Sequence, residues 1–366
     1  MTAPGVLTQV DDAEVEQPRD GEVLVRVRWC SACHSDLHAL DGVTPAKVPA
    51  ILGHEAAGIV EAVGASVDDL AVGDRVVLSM VGPCGECAYC MRGVPMSCPN
   101  SFGRGGVAAD GGTRIVHGGE QVWRALRVGG FSEYTVVPRK AAVRVPAELP
   151  LDLASVLGCS VLTGYGAVVN IAQVQPGDSV AVIGLGAVGI AAIQAARIAG
   201  ASHIVGVDPL TERRELALKV GATAVFAPED ATADLVRQTV GELLPDVTVD
   251  TVTKPVTTQQ AVRLVRPGGT VVVIGVTPPG EQLALDAMDV ILSQKRLAGC
   301  YLGNCVPERD ISILVELWRG GKLDLDSMVT GRRSLDELGH AFDDLRAGIG
   351  LRTAVEVSPV TTPTSS

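Results

Sequence analysis

Residues 179–189 read SVAVIGLGAVG. A short apolar run of strand character meets Gly184, Gly186 and Gly189, spaced as GxGxxG, and AVGIAAIQAARIAG then continues from Ala187 to Gly200 as a helix. HIVGVD follows at 203–208, so Asp208 closes the next strand near the spacing of an acid that holds an adenosine ribose. Glycine lets backbone approach a pyrophosphate, and a helix N-terminus offers unpaired amides and the positive end of its dipole. The glycines alone would also suit a tight turn without a ligand; with the strand, helix and acid they point to a bound dinucleotide. A carboxylate at Asp208 accepts from ribose hydroxyls and repels an additional phosphate, which favours NAD over NADP. Arg213, on the following helix, is close enough to reach the same ribose and blur that choice.

Outward from this motif, TERRELALKVGA reads as a helix, and VTVDTVT, TTQQAVRLVRPGG and TVVVIGV continue strand, helix, strand to about residue 276. Such alternation signals a parallel sheet. The first 150 residues have another texture: EVLVRVRWC at 22–30, VGDRVVLS at 72–79 and FSEYTVVPR at 131–139 alternate polar and apolar side chains, with glycine and proline between them. They predict a twisted, barrel-like body of antiparallel strands. After Gly303, ISILVELWRG and LDELGHAFDDLRAG predict helices, and LRTAVEVS a last strand that returns to the first domain. No repeat of 20–50 residues is visible.

At 366 residues the chain is long enough for two domains, each with its own core. No apolar run has the length of a membrane span, and the N-terminus lacks signal-peptide character, so the expected location is cytoplasmic. The net charge of −12 argues against a nucleic-acid partner, since phosphate binding calls for a lysine- and arginine-rich face.

Four of the nine cysteines, Cys84, Cys87, Cys90 and Cys98, stand as C-x2-C-x2-C-x7-C, where even scatter would put less than one. Four thiolates satisfy tetrahedral zinc and leave no open position, the pattern of a structural site. An iron–sulfur cluster and disulfides are the competing readings. Cys33, His54 with Glu55, and Cys159 are too far apart to be assembled by spacing alone; each suits an ordinary buried position.

Taken together, CHSDLH at 33–38, GHEAAGIVEAVG at 53–64, VGDRV at 72–76, the four-cysteine segment, GCSVLTGYGA at 158–167, GLGAVG at 184–189 and LRTAVEV at 351–357 resemble the zinc-containing alcohol dehydrogenases of the medium-chain family. The resemblance spans about residues 20–357. It implies an α/β plus mainly-β architecture: a GroES-like β-barrel catalytic domain over 1–160 with the structural zinc lobe at 81–100, a Rossmann doubly wound parallel sheet over 161–302, and a segment 303–366 returning to the catalytic domain. By the same resemblance Cys33, His54 and Cys159 hold a catalytic zinc, with Asp36 behind His54 and Glu55 behind the metal. Ser35 and His38 match a proton relay. His34 and Arg352 match pyrophosphate contacts, and Thr163 and Val188 match residues against the nicotinamide. His117, His203 and His340 match no functional position.

The implied activity is reversible oxidation of a primary or secondary alcohol by NAD, with two zinc ions per subunit. A nicotinoprotein that keeps NAD permanently bound is the nearest alternative; a thiol-adduct formaldehyde dehydrogenase and a non-enzymatic zinc redox sensor are the others. The chain departs from the family pattern at Val252–Thr253–Lys254–Pro255, where Lys254 bears on NAD preference. Met80, Ala125 and Leu302 stand at pocket positions that are aromatic in ethanol-oxidising members, which implies a bulkier substrate. Thr44 and Phe102, with Arg104 nearby, stand where the thiol-adduct branch carries an acid and an arginine. The long segment 100–130 implies a homodimer, with a tetramer as the other assembly.

Overall fold

The computed structural model describes residues 1–101, 108 and 110–359. Phe102 and Arg104, weighed above as substrate contacts, lie outside the described residues. The chain divides into two compact units: Met1–Cys159 with Val306–Ser312 and the chain from Val329 onward, and Ser160–Cys305 with Ile313–Met328.

In the first unit the long strand Glu22–Ser31 organises a seven-stranded sheet. It pairs antiparallel with Glu55–Val63 on one side and with both Tyr134–Pro138 and the C-terminal Arg352–Glu356 elsewhere along its length. Its register with Glu55–Val63 shifts between Val27 and Trp29, where Arg28 is the extra residue of a bulge. Opposite Ser31 stand Glu55 on one neighbour and Ala354 on the other. Residues from the chain's beginning and end thereby meet at one place. Alternating valines supply the interior: Val23, Val25 and Val27 are fully buried.

The second unit carries a six-stranded sheet, every pair parallel, in the order Ala224–Phe226, His203–Val207, Ser179–Ile183, Val247–Asp250, Thr270–Val273, Arg296–Gly299. Numbered along the chain this is 3-2-1-4-5-6, the doubly wound order, and the strand order reverses at Ser179–Ile183, where such folds take their dinucleotide. Helix Ala187–Ala199 follows that strand and ends at Gly200 in the left-handed conformation, which spares a Cβ penalty.

The C-terminal stretch expected to return whole to the first domain is divided instead. Residues Ile313–Met328 cluster with the second unit because the buried Gln194 amide donates to the Asp324 carbonyl at 3.0 Å and accepts from its amide at 2.8 Å, while Met328 is fully buried. Among the described residues no single helix is long and apolar enough to cross a membrane.

Candidate active site

Helix His34–Leu40 begins at Cys33, whose backbone is extended and whose side chain does not cap the helix. One turn on, Asp36 is fully buried and reaches the next segment twice: Oδ1 accepts from the Gly53 amide at 2.7 Å and Oδ2 lies 2.7 Å from His54 Nδ1. Gly53 holds φ at +96°, and a Cβ there would fall 2.7 Å from both Cys30 Sγ and the Phe131 amide nitrogen. Only glycine lets the chain pass here and present His54 and Glu55. Cys159 arrives by a similar close approach, since a Cβ on Gly158 would stand 2.2 Å from the Leu78 carbonyl oxygen.

Cys33, His54, Glu55 and Cys159 are all buried, and one ligand atom from each lies within 4.8 Å of the others. Cys159 donates to Cys33 and so holds the Cys33 thiol well below its ordinary value; the Arg352 cation adds to this against the cost of burial. The same contact pushes Cys159 well up. Burial opposes charge on His54, but Asp36 and Cys33 raise its pKa well above the usual imidazole value. Burial pushes Glu55 up to about 7 against the pull of Arg352. Three buried acids and a second thiol therefore surround one imidazole and one guanidinium, an excess of negative charge that a divalent cation neutralises. With His54 Nδ1 directed at Asp36, Nε2 is the ring nitrogen left for the cluster. The donor set is that of a Cys2His zinc site.

Arg352, matched by sequence to a pyrophosphate contact, is 4% exposed, and its guanidinium is engaged within this cluster. It donates to Glu55 at 2.9 and 3.0 Å and to Cys33 Sγ at 3.1 Å. No pattern around residue 352 announces that role; it follows from the pairing of the last strand with Glu22–Ser31. Ser35 and His38 are half-buried on helix His34–Leu40, and His34 is exposed with its ring centroid 6.5 Å from that of His38. His38 Nδ1 is sealed without a hydrogen-bond partner.

The four cysteines of the lobe lie with sulfur separations of 3.5 Å for Cys84–Cys98, 3.6 Å for Cys87–Cys90, 3.8 Å for Cys87–Cys98 and 4.0 Å for Cys84–Cys90. A tetrahedron with sulfurs about 2.3 Å from its centre has edges of about 3.8 Å, so this cage fits one zinc. Disulfides, with sulfurs about 2.05 Å apart, are not formed. Amides of Glu86 and Cys87 draw the Cys84 thiol down to about 6.

In the second unit the three glycines do different work. A Cβ on Gly184, at φ +85°, would lie 2.5 Å from Thr251 Oγ1, and one on Gly189 would lie 1.9 Å from the Gly184 carbonyl oxygen. A Cβ on Gly186 would meet nothing within 4 Å. That open cradle at the start of helix Ala187–Ala199 fits a pyrophosphate. Asp208 is buried, accepting from the Leu185 and Leu210 amides at 2.8 and 2.9 Å, and Arg213 stands 3.9 Å from it. Val188 is half-buried and Thr163 buried. Thr253 adopts φ +53°, and Lys254 is exposed just before helix Pro255–Leu264.

Residues 19–147 match the family described as alcohol dehydrogenase GroES-like domain, and residues 187–318 match zinc-binding dehydrogenase. An NDMA-dependent alcohol dehydrogenase of Amycolatopsis methanolica is 36% identical, covering 95% of each chain. Alcohol dehydrogenase B of Mycobacterium tuberculosis is 36% identical over 94% of each. Among solved structures, a benzyl alcohol dehydrogenase from Acinetobacter calcoaceticus superposes with a TM-score of 0.91 at 32% identity, covering 98% of both chains. An alcohol dehydrogenase zinc-binding domain protein from Burkholderia ambifaria reaches 0.92 at 35%, covering 98% of this chain and 97% of that one. With both units matched and relatives aligned along nearly its whole length, the chain belongs to the zinc-containing alcohol dehydrogenases of the medium-chain family.

Proposed function

We propose that this alcohol dehydrogenase uses one zinc at Cys33, His54 and Cys159 for chemistry, a second at Cys84, Cys87, Cys90 and Cys98 for structure, and NAD as its hydride acceptor. The observation that carries the reading is the sealed Cys2His set, in which one donor atom from each of Cys33, His54 and Cys159 lies within 4.8 Å of the others. Zinc supplies Lewis acidity, which eases loss of an alcohol's proton at neutral pH and polarises a carbonyl in the reverse direction. Asp36 fixes the proton on His54 Nδ1 and leaves the Nε2 lone pair for the ion, an assignment made from the hydrogen-bond pattern. Ser35 accepts the alcohol proton and passes it toward His38. Gly186 leaves room for the pyrophosphate, Gly184 and Gly189 let strand and helix close up around that turn, and Asp208 takes the adenosine ribose.

The substrate is an alcohol larger than ethanol. Met80 and Ala125 leave more room than aromatic rings in the family's ethanol-oxidising members, and the Acinetobacter relative is named for benzyl alcohol. A resident NAD reset by an external carrier is the second reading, favoured by the NDMA-dependent relative. The assembly is a homodimer, supported by an edge strand, Arg296–Gly299, that pairs on one side only and exposes Leu297, beside helix Ala287–Leu292 with Ile291 and Leu292 exposed.

The test follows NADH absorbance with a panel of aromatic and medium-chain alcohols, then repeats it with an artificial electron acceptor. Turnover with free NAD supports the first reading. NAD released on denaturation but retained through dialysis, with turnover only through the acceptor, selects the second. No alcohol-dependent reduction in either assay overturns both.

A further inference from the structure

Along the sheet of the first unit, register sets Tyr134, Arg26, Ile59 and Arg75 side by side across four strands, all half-buried. Residues directly opposite one another share a face of the sheet, so Arg26 and Arg75 flank Ile59. Arg28, the bulge residue two positions along from Arg26, joins them. Its pKa is lowered first by burial and then by the nearby charges of Arg26 and Arg75, with Glu356 acting the other way. Arg28 thus feels two further cations, with Arg26 and Arg75 on one face of the sheet, in a chain whose net charge is −12.

Arg28 is only 8% exposed, yet its Nε has no hydrogen-bond partner, and neither Arg28 nor Arg26 forms an ion pair or side-chain hydrogen bond with any described residue. Glu356 approaches closely enough to be felt but not to pair. Arg75 spends one nitrogen on the Leu149 carbonyl at 2.8 Å and leaves Nε without a partner. Arg28 is sealed at Nε but not at its terminal nitrogens, and two further cations nearby leave that end of the side chain without a counter-charge. Nothing in the catalytic or nucleotide-binding clusters uses these residues.

We propose that Arg26, Arg28 and Arg75 form a binding site for a phosphate dianion, free or as a monoester. Guanidinium forks match the oxygens of such a group two at a time, and three neighbouring cations suit a ligand with three or more oxygens and more than one negative charge. Tyr134, opposite Arg26, borders the site with a hydroxyl able to donate.

The experiment titrates inorganic phosphate, and separately glycerol 3-phosphate, into the zinc-loaded full chain saturated with NAD, by calorimetry against chloride at matched ionic strength. Saturating NAD keeps phosphate from the Gly186 cradle. Expected is one saturable site per chain, weakened at least tenfold in Arg28→Gln and in the Arg26→Gln, Arg75→Gln double variant, and less in Arg28→Lys, which keeps charge but loses the fork. Without phosphate, Arg26→Gln should melt no lower than the parent, because it relieves repulsion; with phosphate, only the parent should gain. Tighter binding of the ester identifies a phosphorylated metabolite as the source, and equal binding identifies the free anion. Absence of saturable binding, or binding unchanged in Arg28→Gln and Arg26→Gln, overturns the site. Should Arg28→Gln fail to fold, Arg26→Gln, at a half-exposed position, decides the matter.

Discussion

His54 reaches its ligand-ready state through one oxygen of Asp36. In Asp36→Asn the amide can still accept from Gly53, but it then presents hydrogens to His54 Nδ1 and drives the ring toward the tautomer protonated at Nε2. Zinc retention at this site should fall about 10–100-fold, measured by competition with a chromogenic chelator, while the cysteine lobe keeps its metal. Ser35 and His38 part company in a second measurement, the pH profile of turnover. Ser35→Ala should cost roughly 10²–10⁴-fold, because no other hydroxyl is assigned to take the alcohol proton. His38→Gln should cost about tenfold near neutral pH and recover as pH rises and hydroxide or buffer base accepts the proton. A His38→Gln profile identical to the parent's, where chemistry limits turnover, removes the relay. Cys33, His54, Cys159 and both relay residues could be named from the chain alone only through resemblance, whereas the four-cysteine lobe was readable from its spacing. The charge partners of Arg352 could not, because its contact with Glu55 joins residues 297 positions apart.

At the scale of elements, the turn from strand Ser179–Ile183 into helix Ala187–Ala199 separates packing from binding. Gly189→Ala places a methyl 1.9 Å from a backbone oxygen, so strand and helix must part, at a cost of about 3 kcal/mol or more in thermal or denaturant unfolding. Gly186→Ala has room in the free protein and a backbone that alanine accepts, so it should cost about 1 kcal/mol or less. Its effect should instead be a weaker NAD affinity, read by fluorescence titration. If Gly186→Ala binds NAD as well as the parent, the open cradle is not where the pyrophosphate lies. This turn was legible in the sequence because glycine spacing, strand and helix are all local. So were the strands at 22–30 and 131–139, announced by alternating polar and apolar residues, although both faces of Glu22–Ser31 are largely buried. The division of residues 303–366 was not legible: ISILVELWRG reads as one amphipathic helix, yet the boundary falls within it after Ser312, and the Asp324 that follows it is held by Gln194, over a hundred residues earlier.

For the molecule as a whole, metal analysis should give two zinc ions per chain, and Cys90→Ser should leave about one. The variant should melt below the parent, because between Cys84 and Cys98 only Pro95 and Cys98 are buried and there is no apolar core to hold the lobe once its metal is gone. Two zinc ions persisting in Cys90→Ser would show that the cage is not the second metal site. Light scattering checks the assembly in the same preparation: a dimer that falls to monomer in Leu297→Lys supports pairing through the exposed edge strand, and an unchanged dimer places the interface elsewhere.

The contrast between the two cysteine sets also decides how the protein ages. Cys33 and Cys159 are buried, whereas Cys84, Cys87 and Cys90 are only half-covered and share their segment with the exposed side chain of Met91. Peroxide therefore meets the lobe first, converting thiols to sulfenic acid and then to disulfides that a zinc-sized cage cannot accommodate. Oxidative inactivation should proceed in two stages: one zinc is lost early, with heat resistance, and catalysis only later. A stored sample can thus remain active at 25 °C after it has lost its tolerance of warming, and zinc content, rather than specific activity, is the early measure of its condition.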